Sequence, residues 1–244
     1  WPGVVSVQAT LENGTWHMCS GALINPQWVL TVAQCFLGAR DTSTWKVVIG
    51  ATDLTEPGPG AERRRIERVL VHQDYDDDSE RNNIALLELD GPVECNDYIQ
   101  LACVPDSSLA VPELKTCYIA GWRATAGSGQ CPGAEDGLGT AGTRPGWPRA
   151  EAKAAGAAAW QSRAWAVPRM TPRILCEPGA APDPSLPAQG DSGGPLVCKD
   201  NVGDYFWLVG LASWGRGCAG DRRPGIFTST QHFHTWIQVQ LGLL

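Results

Sequence analysis

Nowhere in the 244 residues does an apolar run approach the roughly 18 residues that a bilayer-spanning helix requires. Surplus positive charge is missing as well: Lys+Arg total 19 against Asp+Glu 26, a net charge of −7. A general nucleic-acid binder needs a basic surface to displace counterions, so no nucleic-acid partner is expected. Charged residues are few, at 18%, while hydrophobic residues reach 43%, which excludes both a disordered tail and a coiled coil. An initiator Met, a charged leader region and an apolar leader core are also lacking, since the chain opens Trp1-Pro2-Gly3-Val4-Val5. We therefore expect either that a leader and pro-segment have been left off or that the sequence is partial. Histidine is scarce too, which limits imidazole chemistry to His17, His72, His232 and His234.

Cysteine, by contrast, is abundant. Nine of them is heavy usage for a reducing compartment and points to secretion, with at least one thiol left without an internal partner. The sequon Asn13-Gly14-Thr15 agrees with a secretory route. The length suffices for one or two compact lobes, each burying its own core.

Short β-rich runs separated by turn formers organise the first 122 residues. Val4–Ala9, Trp28–Val32, Trp45–Ile49 and Ile84–Leu89 read as strands, and Asn13-Gly14, Asn25-Pro26, Pro57-Gly58-Pro59-Gly60 and Gly91-Pro92 as turns. Strands at this spacing suggest an antiparallel barrel or sandwich. The texture returns from Gly190, with strands expected at Gly194–Val197, Phe206–Leu211 and Gly225–Thr228. Phe233, Trp236, Ile237 and Leu241 then recur at helical spacing, as for a closing helix. Residues 123–175 are different, being mostly Ala, Gly, Pro and Arg with no strand alternation, although Ala150–Ala159 has the composition of a weak helix. Either this is a long surface loop or it is not genuine coding sequence; the GC-rich codons of its favoured residues favour the second.

Gly190-Asp191-Ser192-Gly193-Gly194-Pro195 is the most specific motif. Its glycines permit a sharp turn that brings the N–H groups of Gly190 and Ser192 to one point. Such a pair stabilises the oxyanion of an acyl-transfer intermediate, with the Ser192 hydroxyl as nucleophile.

Further segments point the same way: Cys19-Ser20-Gly21-Ala22-Leu23-Ile24, Trp28-Val29-Leu30-Thr31, Asn83-Ile84-Ala85-Leu86-Leu87, Cys117–Trp122, Ser213-Trp214-Gly215 and Pro224-Gly225-Ile226-Phe227. With the serine motif they resemble the chymotrypsin-family serine proteases. Val48–Thr52, Cys95 with Cys103, and Asp204–Gly210 give the likeness an acrosin-like flavour. The likeness covers about residues 1–122 and 189–241 and fails between them. It implies an all-β fold of two orthogonal antiparallel six-stranded barrels with the active site in the cleft, and an irregular segment at about 123–188. A single peptidase domain over 1–244 would comprise barrels at about 1–105 and 106–230 and a helix at about 231–241. A secreted, zymogen-activated endopeptidase without metal or cofactor is implied, acrosomal if the acrosin-like flavour holds.

The catalytic residues depart from that pattern. The family's general-base histidine falls on Gln34, in Thr31-Val32-Ala33-Gln34-Cys35, and its orienting aspartate on Asn83. An amide has no usable pKa near neutrality and takes no proton from Ser192. Loss of the aspartate alone costs such enzymes about 10⁴-fold in kcat, and loss of the histidine about 10⁶-fold without further additivity. Among the histidines, His17 matches a family position near the cleft but on the wrong side for Ser192, and the other three read as structural.

Substrate recognition departs as well. The acidic residue that pairs with basic side chains in trypsin-like members is Leu186, so a preference for Arg or Lys is not expected. Ser213, Trp214 and Gly215 retain the wall that pairs with extended peptide, and Gly225 leaves the pocket open. Disulfides Cys19–Cys35 and Cys117–Cys198 are implied, whereas Cys131, Cys176 and Cys218 lack assigned partners. Cys95 and Cys103 resemble the positions that, in the acrosin-like members, tie the catalytic chain to a short light chain. If the chain as given were complete, Asp191 would lack the N-terminal Ile partner that the resemblance implies, and it would be expected to turn toward His17. Arg63, Arg64, Arg65 and Arg68 suggest a small exosite for sulfated glycan, although alternation along a solvated edge strand would divide them between two faces. Asp74–Glu80 lacks calcium-loop spacing and reads as a surface loop.

Three functions compete. One is a protease homologue with an impaired site that binds peptide or glycan. Another is a genuine trypsin-like endopeptidase carrying sequence errors, since Gln34 and Asn83 each lie one nucleotide from His and Asp. The last is a decaying gene whose product does not fold.

Overall fold

A computed structural model describes residues 1–11, 14–39, 42–122, 139–140, 164–166, 192–214 and 226–244. Strands β1 (Val4–Leu11), β2 (Gly14–Asn25), β3 (Trp28–Thr31), β4 (Trp45–Ile49), β5 (Glu62–Val71) and β6 (Ala85–Leu89) close an antiparallel barrel in the order β1-β2-β3-β6-β5-β4. Closure comes through β1, where Val5 faces Gly21 of β2 on one side and Ile49 of β4 on the other. Strands β7 (Cys117–Gly121), β8 (Gly139–Thr140), β9 (Ala164–Ala166), β10 (Pro195–Lys199), β11 (Phe206–Trp214) and β12 (Ile226–Ser229) form a second antiparallel sheet, ordered β8-β7-β10-β11-β12-β9. A C-terminal helix, α1, spans His234–Gln240. The expected all-β class and closing helix are therefore present, with the helix shorter than the 231–241 read from the sequence.

Side-chain period decides how the two units meet. In β3, Val29 points into the barrel core, and Leu30 turns the other way toward Val197, Leu208 and Leu211 of the second sheet. In β6, Leu87 and Leu89 line the barrel while Leu86 joins the same shared layer, together with Phe233 and Ile237 from the helix region. Both faces of β3 and β6 are thus buried, which is why their sequences run apolar without alternation. Leu23, Leu30, Leu86, Leu87, Leu208 and Leu211 are fully enclosed, each worth about 1.5–3 kcal/mol of burial.

Three readings need correction. The stretch from residue 123 is not without strands: Gly139–Thr140 pairs with Ala120 and Gly121, and Ala164–Ala166 pairs with Ile226–Thr228. Backbone ladders ask for no particular side chain, so composition gives no warning of them. The remainder of that segment, including Ala150–Ala159, lies outside the described residues. Next, β5 is no solvated edge, because it lies between β4 and β6 in a closed barrel. Lastly, three of its four arginines are occupied: Arg64 pairs with Glu62, Arg65 with Asp90, and Arg68 with Glu88 while lying over the Trp28 ring.

Cys19–Cys35 and Cys117–Cys198 are both formed, the second joining β7 to β10 across 81 residues of chain. Replacing Cys117 and Cys198 together by alanine is expected to cost about 2–5 kcal/mol, measured by denaturant unfolding under non-reducing conditions. The turn after β10 supplies an acid-sensitive element. The Gly203 N–H and then the Trp207 indole N–H donate to Asp200 and hold its carboxyl at about 2. A depressed carboxyl stabilises the fold above its unfolded value near 4, and that contribution fades as pH falls toward 2. Asp200→Asn should flatten the melting temperature over that window.

Candidate active site

Ser192 stands three residues before the first residue of β10 and is clamped from two sides. Its carbonyl accepts the Ser20 N–H at 2.8 Å, and the following Gly193 N–H donates to Ala212 O at 2.7 Å. Gly193 has φ +81°, and a Cβ there would lie 2.1 Å from Ser20 O and 2.3 Å from Thr31 Oγ1. Only glycine lets the chain turn this close to β2. Thr31 in turn donates its hydroxyl to Ser20 O at 2.7 Å, which fixes the surface against which the elbow rests.

Gln34 lies in the short 3-10 turn Ala33–Phe36 that follows β3, and the Cys19–Cys35 disulfide ties this turn to β2 beside Ser20. Asn83 lies just before β6 and is 1% exposed. Its Oδ1 accepts the Gln34 backbone N–H at 3.0 Å, and its Nδ2 donates to Gln34 Oε1 at 2.6 Å and Ser213 Oγ at 2.7 Å. Gln34 Nε2 then donates to Ser192 Oγ at 2.9 Å and to the Ser213 carbonyl at 2.6 Å. Thr228 braces the arrangement by donating its hydroxyl to Asn83 O at 2.9 Å.

The direction of these bonds follows from their ends. A backbone N–H can only donate, so the Asn83 atom facing Gln34 N is its oxygen. A backbone carbonyl can only accept, so the Gln34 atom facing Ser213 O is its nitrogen. Both amide orientations are thereby determined, and the Asn83→Gln34→Ser192 chain runs toward the serine as donors. Ser192 Oγ accepts a hydrogen bond from Gln34. Gln34, which contacts Ser192 Oγ, and Asn83 behind it carry no ionisable group.

Three side chains from separate segments, converging on a serine elbow between a closed barrel and a second antiparallel sheet, match a recognised family. The Trypsin family model covers residues 2–237. The chain belongs to the trypsin family. The match runs through the segment at which the likeness was expected to fail. A curated relative, Suppressor of tumorigenicity 14 protein homolog of Bos taurus, is 32% identical over 260 residues, covering all of this chain and 27% of that protein. The chain therefore spans about a quarter of that relative's length. These findings support the trypsin family and go no finer toward an acrosin-like member.

Of the residues expected at this trypsin-family site, Ser192, Gln34, Asn83 and Ser213 come together, and Trp214 ends β11 with its backbone paired to Ile226. Leu186, Gly190, Asp191, Gly215 and Gly225 lie outside the described residues, as do Cys131, Cys176 and Cys218. His17 sits 2.7 Å from Ser6 Oγ through Nδ1 and 3.5 Å from Ser20 Oγ through Nε2, with its ring against Trp122. His72 packs against Phe233 and Trp236, and its Nδ1 accepts the Asp74 N–H. Cys95 and Cys103 are exposed and free. In the loop leading to Asn83, burial and then Asp77 push the Tyr75 phenol upward, and Asn82 at φ 55° donates to Asp74 O. Among the described residues no group of three or more His, Cys, Asp and Glu side chains is placed to hold a metal ion. Ser20, Thr31 and Thr228 escaped the sequence reading, because nothing marks them apart from ordinary strand residues.

Gly193→Ala should destabilise the domain by about 2–4 kcal/mol, through backbone strain and the clash with Ser20 O. Thermal unfolding of the two proteins would check this.

Proposed function

We propose that this trypsin-family domain binds extended peptide segments in its cleft without hydrolysing them. A single observation carries the reading: the Gln34 amide donates to Ser192 Oγ from an orientation locked by Ser213 O and Asn83. General-base catalysis requires the reverse proton flow. The wall segment Ser213-Trp214 remains at the end of β11, where strand addition by a peptide is chemically reasonable.

An oxidising, secretory setting suits the two disulfides, and among the described residues no helix is long and apolar enough to cross a membrane. The finer acrosin-like placement, with an acrosomal location, rests only on Val48–Thr52, Asp204–Gly210 and the exposed pair Cys95 and Cys103, which would tether a light chain. A sulfated-glycan exosite has less support, because Arg64, Arg65 and Arg68 already face carboxylates. A working endopeptidase altered at two codons is favoured by a different observation. Gln34 and Asn83 preserve hydrogen-bonded places into which a histidine and an aspartate would fit. Resequencing those codons from genomic DNA distinguishes the two readings.

Purified protein should hydrolyse a peptide ester about 10⁶-fold more slowly than an intact family member. Its residual rate should rise with hydroxide and show no inflection near pH 6.5, where a histidine base would titrate. Gln34→His combined with Asn83→Asp should restore turnover and that inflection. Gln34→His alone should remain about 10⁴-fold below the pair, because Asn83 Nδ2 would donate to the new imidazole and select the wrong tautomer. Ordinary protease rates from the unaltered chain, abolished by Ser192→Ala, would overturn the proposal.

A further inference from the structure

His72 lies outside the candidate site, buried at 9% exposure immediately after β5. Its backbone N–H donates to Ile84 O at 3.1 Å, and its carbonyl accepts the Tyr75 N–H at 3.0 Å. The ring joins two segments that are far apart in sequence. It packs against Phe233 at 5.3 Å and Trp236 at 5.1 Å, which seat α1 against the layer shared by the two sheets. Its Nδ1 also accepts the Asp74 N–H at 3.2 Å. Beside it, the Trp236 indole N–H donates to Gln73 Oε1 at 3.3 Å. The Asp74 contact leads on toward the site. Asp74 O accepts Asn82 Nδ2 at 2.7 Å, and Asn82 is held at φ 55° directly before Asn83.

A backbone N–H only donates, so Nδ1 presents its lone pair and the ring is neutral, with its proton on Nε2. Protonation would set a second N–H against that of Asp74, and the contact would break. The surroundings offer a charged ring little support. Residues 232–240 contribute His232 and His234 and no carboxylate, and Ile84 on the strand side is apolar. The segment after His72 contributes Asp74, Asp76, Asp77, Asp78, Glu80 and Arg81, with a Tyr75 phenol that burial and then Asp77 keep neutral. The four aspartates are exposed, so water and salt screen their pull on the ring. The Asp74 carboxylate already takes Gln73 Nε2 at 3.4 Å. Trp236 would attract an imidazolium through its ring face, but burial and the opposed Asp74 N–H act together against the charge.

We propose that His72 is a proton-operated pin: neutral, it fastens α1 to the loop that enters Asn83, and on protonation it lets go of both. The pin uses none of the residues around Ser192 and is independent of what the cleft binds. A ring kept neutral by the fold takes up its proton less readily than it does in the unfolded chain. The stabilisation is therefore complete above about pH 6.5 and is lost as pH falls below that value.

His72→Asn is the primary test, because its Oδ1 can replace Nδ1 as acceptor for the Asp74 N–H and carries no titrating group. Thermal unfolding of the whole chain and of the variant is followed from about pH 7.5 down to about pH 5. The remaining histidines and carboxylates titrate in both proteins, so the difference between the two profiles isolates His72. Over this range the unaltered chain should lose about 3 °C more than the variant, as a tenfold weaker proton affinity of His72 in the fold requires.

NMR of the unaltered chain supplies a second measurement that holds even if the variant does not fold. The His72 ring Cε1–H and the Trp236 indole N–H, the latter assigned by its loss in Trp236→Phe, should shift together with a midpoint at least about one pH unit below 6.5. Parallel melting profiles for the two proteins would overturn the pin. So would a His72 midpoint at or above about 6.5, or a Trp236 indole signal that stays in place while the His72 ring titrates.

Discussion

The direction of one hydrogen bond organises the candidate site of this domain. Gln34 presents nitrogen, not oxygen, to Ser192, and it does so because Ser213 O and Asn83 accept no other arrangement. A histidine in that place would be a base with a tunable proton; the amide is a donor with none.

The fold makes that bond possible by burying both faces of β3 and β6. Leu30 and Leu86 fill the layer shared with the second sheet, and the segments leaving β3 and entering β6 carry Gln34 and Asn83 to the same end of it. Ser192 is delivered from the other unit, with Gly193 pressed against Ser20 O so closely that a methyl group has no room. The Cys19–Cys35 link fastens the Gln34 turn to the strand on which the elbow rests. The site is therefore a product of packing between two sheets and belongs to neither alone. Asn83, 1% exposed with both side-chain polar atoms bonded, is the member whose loss would leave the most buried polarity unsatisfied.

Much of the architecture was readable from residue pattern. Val4–Ala9, Trp28–Thr31, Trp45–Ile49 and Phe206–Leu211 all lie within strands, because β-branched and aromatic runs between glycine and proline turns have few other uses. Other elements left no trace in the pattern. Gly139–Thr140 and Ala164–Ala166 join the second sheet through backbone ladders that impose no side-chain signature. The arginines of β5 looked like an exposed basic cluster, yet Glu62, Glu88 and Asp90 meet three of them from neighbouring positions. Pairing across strands depends on register, which spacing along one strand does not contain.

For the site, residue identity alone determined that the side chains of Gln34 and Asn83 are neutral amides, since protonation chemistry belongs to the side chain wherever it lies. Tertiary structure decided everything directional. Which amide atom faces the serine and which group takes the Ser213 carbonyl depend on the bulge in β11 and on contacts between residues up to 179 positions apart. Chemical type is written locally in a chain, whereas the orientation of a hydrogen bond exists only once both of its ends have been brought together.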